Sequence, residues 1–216
     1  MVSEIVLLRK RHGLRAVLFR DPIFTLSRER TVEMAEALRR AGTQIEYACE
    51  TRLDYLDKEL VDLLHACGLR ALNVGIEAFS DAVLKSSKRK PVEKEHQEAI
   101  IAYAKEKGIH VSAFFILGFP GDTEDTIRQT IEYAVSLNVH VAQFTLCTPY
   151  PGTLFYKSVE NRIFEKDFEE FNAYTPVYQA PYVTPSRLLE LKDYAYRRYY
   201  LRPRWMWLFL RETLGY

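Results

Sequence analysis

The fold of this chain is constrained most by a repeated pattern, in which an apolar strand is followed by a turn and an amphipathic helix. In the clearest example, the apolar run at 111–117 is short enough for a strand covered on both faces. Glycines in the segment 118–121 end this strand with a turn. Asp122 and Thr123 can cap the helix that follows, which we expect to end at Asn138. The sequence therefore contains at least one complete strand–turn–helix unit.

The same unit precedes this example three times. The predicted strands are 14–21, 45–52, 69–77, 111–117 and 139–147, with a helix after each of the first four. Regular alternation of strands and helices indicates an α/β fold, in which parallel strands are joined by right-handed crossovers. Such a sheet is either open and doubly wound or curled into a barrel.

Polar residues recur on one face of several predicted strands, and this pattern favours the barrel. They are Glu46, Glu50 and Arg52 in the second strand, Asn73, Gly75 and Glu77 in the third, and Gln143, Thr145 and Cys147 in the fifth. A sheet covered by helices on both faces should be apolar on both. A polar inner face instead suggests a barrel that holds a polar ligand.

Composition narrows the class of protein. With 48% apolar and 27% charged residues, the 216-residue chain is typical of a globular protein with a sizeable core. Thirty basic and 29 acidic residues give a net charge of +1, so no nucleic-acid partner is expected. Three isolated cysteines and the absence of a signal peptide predict a cytoplasmic location. The longest apolar run, 205–210, is too short to span a bilayer.

Candidate binding residues lie at the predicted carboxyl ends of the strands, where β/α folds place their active sites. They are Asp21, Arg52, Glu77, the turn 118–121 and the segment 148–153. Carboxylates and an arginine on one rim suit a ligand with ammonium, carboxylate and ribose hydroxyl groups. A purely structural role is the alternative, because Asp21 and Glu77 can also cap helices or pair with Arg52, and turns need glycine in any case.

Five segments read together resemble the radical S-adenosylmethionine (SAM) superfamily. They are FRDPIFT at 19–25, ETRLDYLDKELVDLL at 50–64, GLRALNVGIEAFSDAVL at 68–84, FFILGFPGDTEDTIRQTI at 114–131 and TPYPGTLFY at 148–156. More narrowly, the chain resembles the class that carries an N-terminal cobalamin-binding domain and acts on lipids, tetrapyrroles and other natural products. The resemblance implies a partial (β/α)₆ TIM-like barrel with SAM lying across the strand ends.

The resemblance also implies roles for individual residues. Glu77 would hold the SAM ribose or amino group, Arg52 would reach the methionyl carboxylate or a neighbouring acid, and Asp21 would lie near the substrate or the SAM head. The adenine would be flanked by Ile116 and by the turn residues Gly118, Pro120 and Gly121. Its edge would pair with the backbone around Cys147, Thr148 and Pro149. No catalytic residue is assigned. The implied partners are an electron donor and a small-molecule or lipid-like substrate.

The cysteines depart from the family pattern. The family holds a [4Fe-4S] cluster on a C-x₃-C-x₂-C loop, and no such triplet occurs here. We predict no metal site, with Cys49 and Cys67 as small core residues, Cys67 on a helix, and Cys147 inside the barrel. The simplest interpretation is a truncated enzyme that makes no radical alone, and the alternative is a cluster-less SAM-binding or assembly module. A phosphate-binding β/α enzyme is disfavoured because the sequence lacks the glycine-rich loops that bind phosphate at helix N-termini.

This interpretation divides the chain at residue 156. Residues 1–156 would form the partial barrel without its first strand and cluster loop, and 157–216 a helical, aromatic-rich extension. Ser186 or Thr184 can cap a helix in this extension, whose end mixes arginines with aromatics in RPRWMWLFLR at 202–211. That segment suits either peripheral contact with the inner face of the membrane or a helix packed over the open seam of the barrel.

Overall fold

The structure is a computed structural model that describes residues 1–42 and 44–214, and for Leu208, Glu212 and Thr213 it describes the backbone only. The strands in these ranges are β1 (Ala16–Leu18), β2 (Glu46–Thr51), β3 (Leu69–Glu77), β4 (His110–Leu117) and β5 (Val141–Leu146). The helices are α1 (Val2–His12), α2 (Arg28–Arg40), α3 (Lys58–Ala66), α4 (Asp81–Ser86), α5 (Lys94–Glu106), α6 (Glu124–Leu137), α7 (Leu154–Val159), α8 (Pro185–Tyr200) and α9 (Pro203–Leu214). Among the described residues, no helix is both long and apolar enough to cross a membrane.

The described strands form one parallel sheet in the order β1-β2-β3-β4-β5. Ala16 of β1 lies opposite Glu46 of β2, and a bulge at Tyr47 and Ala48 interrupts the pairing of β2 with β3. A sheet whose strand order follows the chain has the topology of a β/α barrel, whereas a doubly wound sheet reverses its order at a switch point. The predicted fold class is therefore confirmed, and the barrel is the correct alternative.

Alternating burial along the strands agrees with the predicted polar faces. In β2, Tyr47 and Cys49 are buried whereas Glu46 is exposed. Strand β4 was expected to be covered on both faces, but Phe114 and Ile116 on its second face are only half-buried. The expectation was wrong because an apolar run does not show which of its two faces the helices cover.

The chain is divided into two compact units. Unit 1 comprises Met1–Gly75 and Val92–Ala113, and unit 2 comprises Ile76–Pro91 and the residues from Phe114 onward. Strands β3 and β4 therefore begin in unit 1 and end in unit 2. The division predicted at residue 156, between a barrel and an extension, rests on sequence pattern alone. It stays a prediction.

Helix boundaries in unit 1 follow local capping rules. The Ser27 side chain accepts a hydrogen bond from the Arg30 N–H at the start of α2, and the Asp57 side chain accepts one from Leu60 at the start of α3. Cys67, which was expected on a helix, is instead the C-cap residue of α3 and is buried. Its side chain is a core group, as predicted.

In unit 2, helix α8 covers the edge of strand β5. The Tyr200 hydroxyl accepts from the Ala142 N–H (3.1 Å) and donates to the Ala142 carbonyl (2.8 Å). The Tyr196 hydroxyl does the same at Phe144, with distances of 3.3 and 3.1 Å. An edge strand otherwise exposes unpaired backbone groups, which invite pairing with other chains. Within the extension it is therefore α8 that closes this edge of the sheet, and Thr184 caps it.

Candidate active site

The turn after β4 is held by one buried carboxylate. Asp122 is 1% exposed, and its Oδ2 accepts hydrogen bonds from the N–H groups of Gly118 (3.0 Å) and Phe119 (2.9 Å). Its Oδ1 accepts from the Thr126 hydroxyl at 2.8 Å. Burial raises the pKa of Asp122, and these hydrogen bonds oppose the rise. Asp122 therefore fixes the turn, whereas Thr123 caps α6 through a reciprocal capping box with Thr126.

Gly118 has little room on either side. Its φ of 86° lies in the left-handed region, and a Cβ at this position would lie 2.6 Å from Cδ2 of Leu188 in α8. Its carbonyl accepts a short hydrogen bond from the Tyr178 hydroxyl. A Cβ at Gly121 would meet Oγ of Ser86 at 2.8 Å. A side chain would therefore be strained by the backbone at Gly118 and would displace the Ser86 hydroxyl at Gly121. Contact of both glycines with a ligand stays a prediction.

A cavity of about 300 Å³ lies in unit 2 beside this turn, and we call it the turn cavity. Its lining includes Ile116, Phe119, Cys147, Thr148, Tyr150 and Arg89. The volume is at the lower end of the range for small-molecule sites. Two of the predicted SAM-binding residues, Ile116 and Thr148, line the cavity. Pro149, which follows them in the chain, is buried, and Pro120 is half-buried in the turn itself.

An ion pair joins the end of β3 to the wall of the turn cavity. Arg89, which lines the cavity, donates a short hydrogen bond from Nη1 to Oε1 of Glu77. The Arg89 guanidinium carbon also lies 5.6 Å from the centre of the Phe119 ring. Glu77 has a φ of 68°, an unusual conformation for a residue with a side chain, and such outliers cluster at functional sites.

Arg89 is a site residue that our sequence reasoning missed. It follows α4, a short helix that we also did not predict. The available signal was the basic run Lys88-Arg89-Lys90 placed directly after the strand that ends in Glu77. A carboxylate at a strand end and a cation a dozen residues later can pair through such a short connection.

The Cys147 thiol lies in the wall of the turn cavity and is buried. Burial raises its pKa to about 12, with smaller opposing effects from Arg89 and from a hydrogen bond with Tyr178. The thiol is therefore protonated at neutral pH, and the thiolate is the form that attacks or binds metal. Cys147 belongs to a cluster of buried hydrophobic residues, which indicates a packing role.

The two predicted residues of unit 1 form local ion pairs. Arg52 makes a two-point contact with Asp54, with Nε–Oδ1 at 2.9 Å and Nη2–Oδ2 at 3.1 Å. Asp21 was expected to end the first strand, but β1 ends earlier, at Leu18. The regular pairing of β1 with β2 ends at Leu18, residues 19–21 are irregular and a turn begins at Pro22. Asp21 lies 3.6 Å from the Arg30 guanidinium. Both residues belong to unit 1, and the other predicted residues belong to unit 2.

The cysteines do not fit an iron–sulfur site. Cys49 lies in β2 and Cys67 is the residue that follows α3. Both are buried within unit 1, whereas Cys147 belongs to unit 2. Burial raises the pKa of Cys49 to about 12 as well. Within residues 1–42 and 44–214, no group of three or more His, Cys, Asp or Glu side chains is arranged to hold a metal ion.

Comparison with known proteins identifies related chains. A family model described as the radical SAM superfamily matches residues 1–134. An uncharacterized methyltransferase, PH0819, of Pyrococcus horikoshii is 27% identical over 206 residues, which cover 94% of this chain and 45% of that protein. The anaerobic magnesium-protoporphyrin IX monomethyl ester cyclase of Cereibacter sphaeroides is 26% identical over 206 residues, covering 94% and 34%. The chain thus spans less than half the length of these curated relatives.

A solved structure resembles the fold. The radical SAM methyltransferase TsrM of Kitasatospora setae, with cobalamin and a [4Fe-4S] cluster bound, superposes with a TM-score of 0.62 at 24% identity. The match covers 67% of this chain and 28% of TsrM. At this identity the likeness concerns the fold, and it agrees with the partial barrel that the strand order indicates.

Proposed function

Because the chain belongs to the radical SAM superfamily, we propose that it supplies the SAM-binding barrel of an enzyme that methylates or rearranges a small-molecule or lipid-like substrate. The observation that carries this proposal is the turn cavity, with the Glu77–Arg89 ion pair at its wall. A concave site that combines apolar walls with a few charged groups is the usual form of a cofactor site.

Residues of unit 2 would hold the adenosyl part of SAM. Ile116 and Phe119 offer apolar surface for the adenine, and the backbone at Thr148 and Pro149 offers hydrogen-bonding groups for its edge. Gly118, Pro120 and Gly121 would shape the turn against which the base lies, and Asp122 keeps that turn in place. When bound, SAM supplies an adenosyl group and an activated methyl group.

The charged residues would bind the polar parts of the cofactor. Glu77 would accept hydrogen bonds from the ribose hydroxyls or the amino group, and Arg89 would fix the orientation of its carboxylate. In unit 1, Asp54 holds the guanidinium of Arg52. That Arg52 reaches the methionyl carboxylate or a neighbouring acid, and that Asp21 lies near the substrate or the SAM head, stay predictions from motif position. These roles follow from motif position together with the local ion pairs.

Radical formation in this family needs a [4Fe-4S] cluster and an electron donor, and the cysteines described above do not fit such a cluster. We therefore propose that this chain alone binds SAM without cleaving it. Cleavage of SAM would require the cysteine loop in addition to the residues of this chain. Cobalamin, which TsrM binds, would be held by residues outside the barrel. No catalytic residue of this chain is assigned.

A second candidate function is a cluster-less SAM-binding or assembly module. It is favoured by the absence of the C-x₃-C-x₂-C triplet from this sequence. Both candidates require SAM binding, so titration with SAM tests what they share. They differ in one respect: co-expression with a polypeptide that carries the cysteine loop would restore SAM cleavage only for the enzyme core.

We place the protein in the cytoplasm and keep peripheral membrane contact as a proposal for α9. This helix exposes apolar side chains, among them Trp207 at 70% exposure, beside the exposed cations Arg204 and Arg211. Aromatic and arginine side chains together suit the interface of an anionic membrane. Trp205 of the same helix is engaged elsewhere, since its Nε1–H donates to the carbonyl of His140 at 3.0 Å.

A further inference from the structure

A second depression in unit 2, which we call the Lys88 groove, has a volume of about 670 Å³. Its lining includes Ser87, Lys88, Pro120, Leu154, Phe155 and Arg162. Ser87 and Phe155 also line the turn cavity. The groove and the turn cavity therefore share part of their walls within one compact unit.

The charged side chains that line the groove are all positive. Lys88 and Arg162 are both exposed, and among the lining residues that the structure describes none is acidic. Neither cation takes part in an ion pair within the described part of the chain. Lys88, two residues after the end of α4, has a φ of 57° and therefore a left-handed backbone conformation. Two cations that form no ion pair with a described residue favour an anionic group in the groove.

The rest of the groove is largely apolar. Leu154 is 76% exposed, and Phe155 and Pro120 are half-buried beside it. A large exposed leucine in a concave surface gains from contact with an apolar ligand. The groove is thus suited to a molecule that has both an apolar body and a negative charge.

Ser87, which lines both the groove and the turn cavity, has a buried hydroxyl group. The Oγ of Ser87 is buried and has no hydrogen-bond partner among the described residues. Buried polar groups in folded proteins are nearly always paired, and an unpaired one calls for an explanation. A ligand group that extends from the groove toward the turn cavity would provide the missing partner.

We propose that the Lys88 groove binds the substrate, and that this substrate is an amphiphilic carboxylate. Its carboxylate lies beside Lys88 and Arg162, its apolar body lies on Leu154 and Phe155, and a polar group near Ser87 directs one end toward the turn cavity. The proposal rests on the proposed function, because it takes the turn cavity as the SAM site. It adds the class of substrate and the residues that select it.

Calorimetric titration with dodecanoate below its micelle concentration tests the proposal in the intact chain. The K88Q/R162Q double variant should bind dodecanoate about tenfold more weakly than the wild type, as the loss of two partly exposed ion pairs implies. Lys157→Gln is the matched control, since Lys157 is exposed on the same α7 helix as Leu154 but does not line the groove. It should leave the affinity unchanged.

A second ligand keeps the test independent of whether the variants fold. Dodecyltrimethylammonium, which has the same chain and the opposite charge, should bind the wild type at least about tenfold more weakly than dodecanoate. Equal binding of the two amphiphiles, equal binding of dodecanoate to wild type and double variant, or no dodecanoate binding would each overturn the proposal. A parallel titration with SAM separates the two ideas: SAM binding without dodecanoate binding rejects the groove alone, and the reverse rejects the SAM site.

Discussion

The Arg89 guanidinium donates a hydrogen bond to the carboxylate of Glu77, which ends strand β3 in a left-handed conformation. Arg89 also lies over the Phe119 ring in the turn that follows β4. One side chain thus connects the strand-end carboxylate, the turn and the cavity wall. In a barrel, strand ends are where ligands bind, so this connection is the structural basis for assigning the site.

The first prediction concerns the close packing of Gly118. Gly118→Ala should lower the free energy of unfolding by about 3 kcal/mol, because it combines a disfavoured backbone conformation with overpacking against Leu188. Gly152 provides a matched control, since its φ of 84° is similar but nothing lies within 4 Å of the added Cβ. Gly152→Ala should cost only about 1 kcal/mol. Urea denaturation measures both values, and equal losses would contradict the role of Leu188.

The second prediction concerns the edge of β5. Replacing both Tyr196 and Tyr200 by phenylalanine leaves the backbone groups of Ala142 and Phe144 without these hydroxyl partners. We expect a loss of about 2 kcal/mol in the free energy of unfolding and a greater tendency to aggregate. Tyr182→Phe, at an exposed position, is the control and should change neither quantity. Light scattering and urea denaturation are the measurements, and a double variant as stable as wild type would refute this account of the edge.

The third prediction concerns the pH dependence of stability. Hydrogen bonds from Arg187 of α8 and then Arg128 lower the pKa of Glu124 to about 2. A depressed pKa stabilises the folded state above the ordinary carboxyl range, and this contribution is lost as the pH falls toward about 2. The wild type should therefore lose more stability between pH 6 and pH 3 than Glu124→Gln does. The exposed Glu98 serves as the control position, and a Glu98→Gln profile parallel to wild type is expected.

The fourth prediction concerns iron and sulfide. Anaerobic reconstitution of this chain should give no stoichiometric cluster, because its thiols are buried and divided between the two units. Visible absorption and iron analysis measure the outcome, with a ferredoxin carried through the same procedure as a positive control. A stoichiometric [4Fe-4S] cluster on this chain would show that the assignment of the cysteines as packing residues is wrong.

Much of the fold can be predicted from local patterns. Strand β3 spans the predicted residues 69–77. Gly68 precedes the strand, and the alternation of apolar and other residues from Leu72 to Glu77 is visible in the sequence. Strand β1 is shorter than predicted, since an apolar run does not show where regular pairing with the neighbouring strand begins and ends. The helix α4 has six residues, which is too few for a clear amphipathic period.

The site is less accessible to sequence reasoning than the fold. Motif position identifies Glu77 and the glycine turn, but the partner Arg89 depends on how the chain folds back after α4. The contact between Gly118 and Leu188 joins residues far apart in the chain. Likewise, the aromatic composition of the extension does not reveal which tyrosine hydroxyls reach β5. Such contacts are set by tertiary packing and have no local signal.

The most direct test of the account is calorimetric titration of the chain with SAM, alongside the Glu77→Gln variant. We expect one SAM per chain, and an affinity about tenfold weaker in the variant, because a charge-assisted hydrogen bond is lost. Glu98→Gln controls for the change in net charge and should bind like wild type. Absence of SAM binding to the wild-type chain, or unchanged affinity in Glu77→Gln, would contradict the assignment of this cavity as the SAM site.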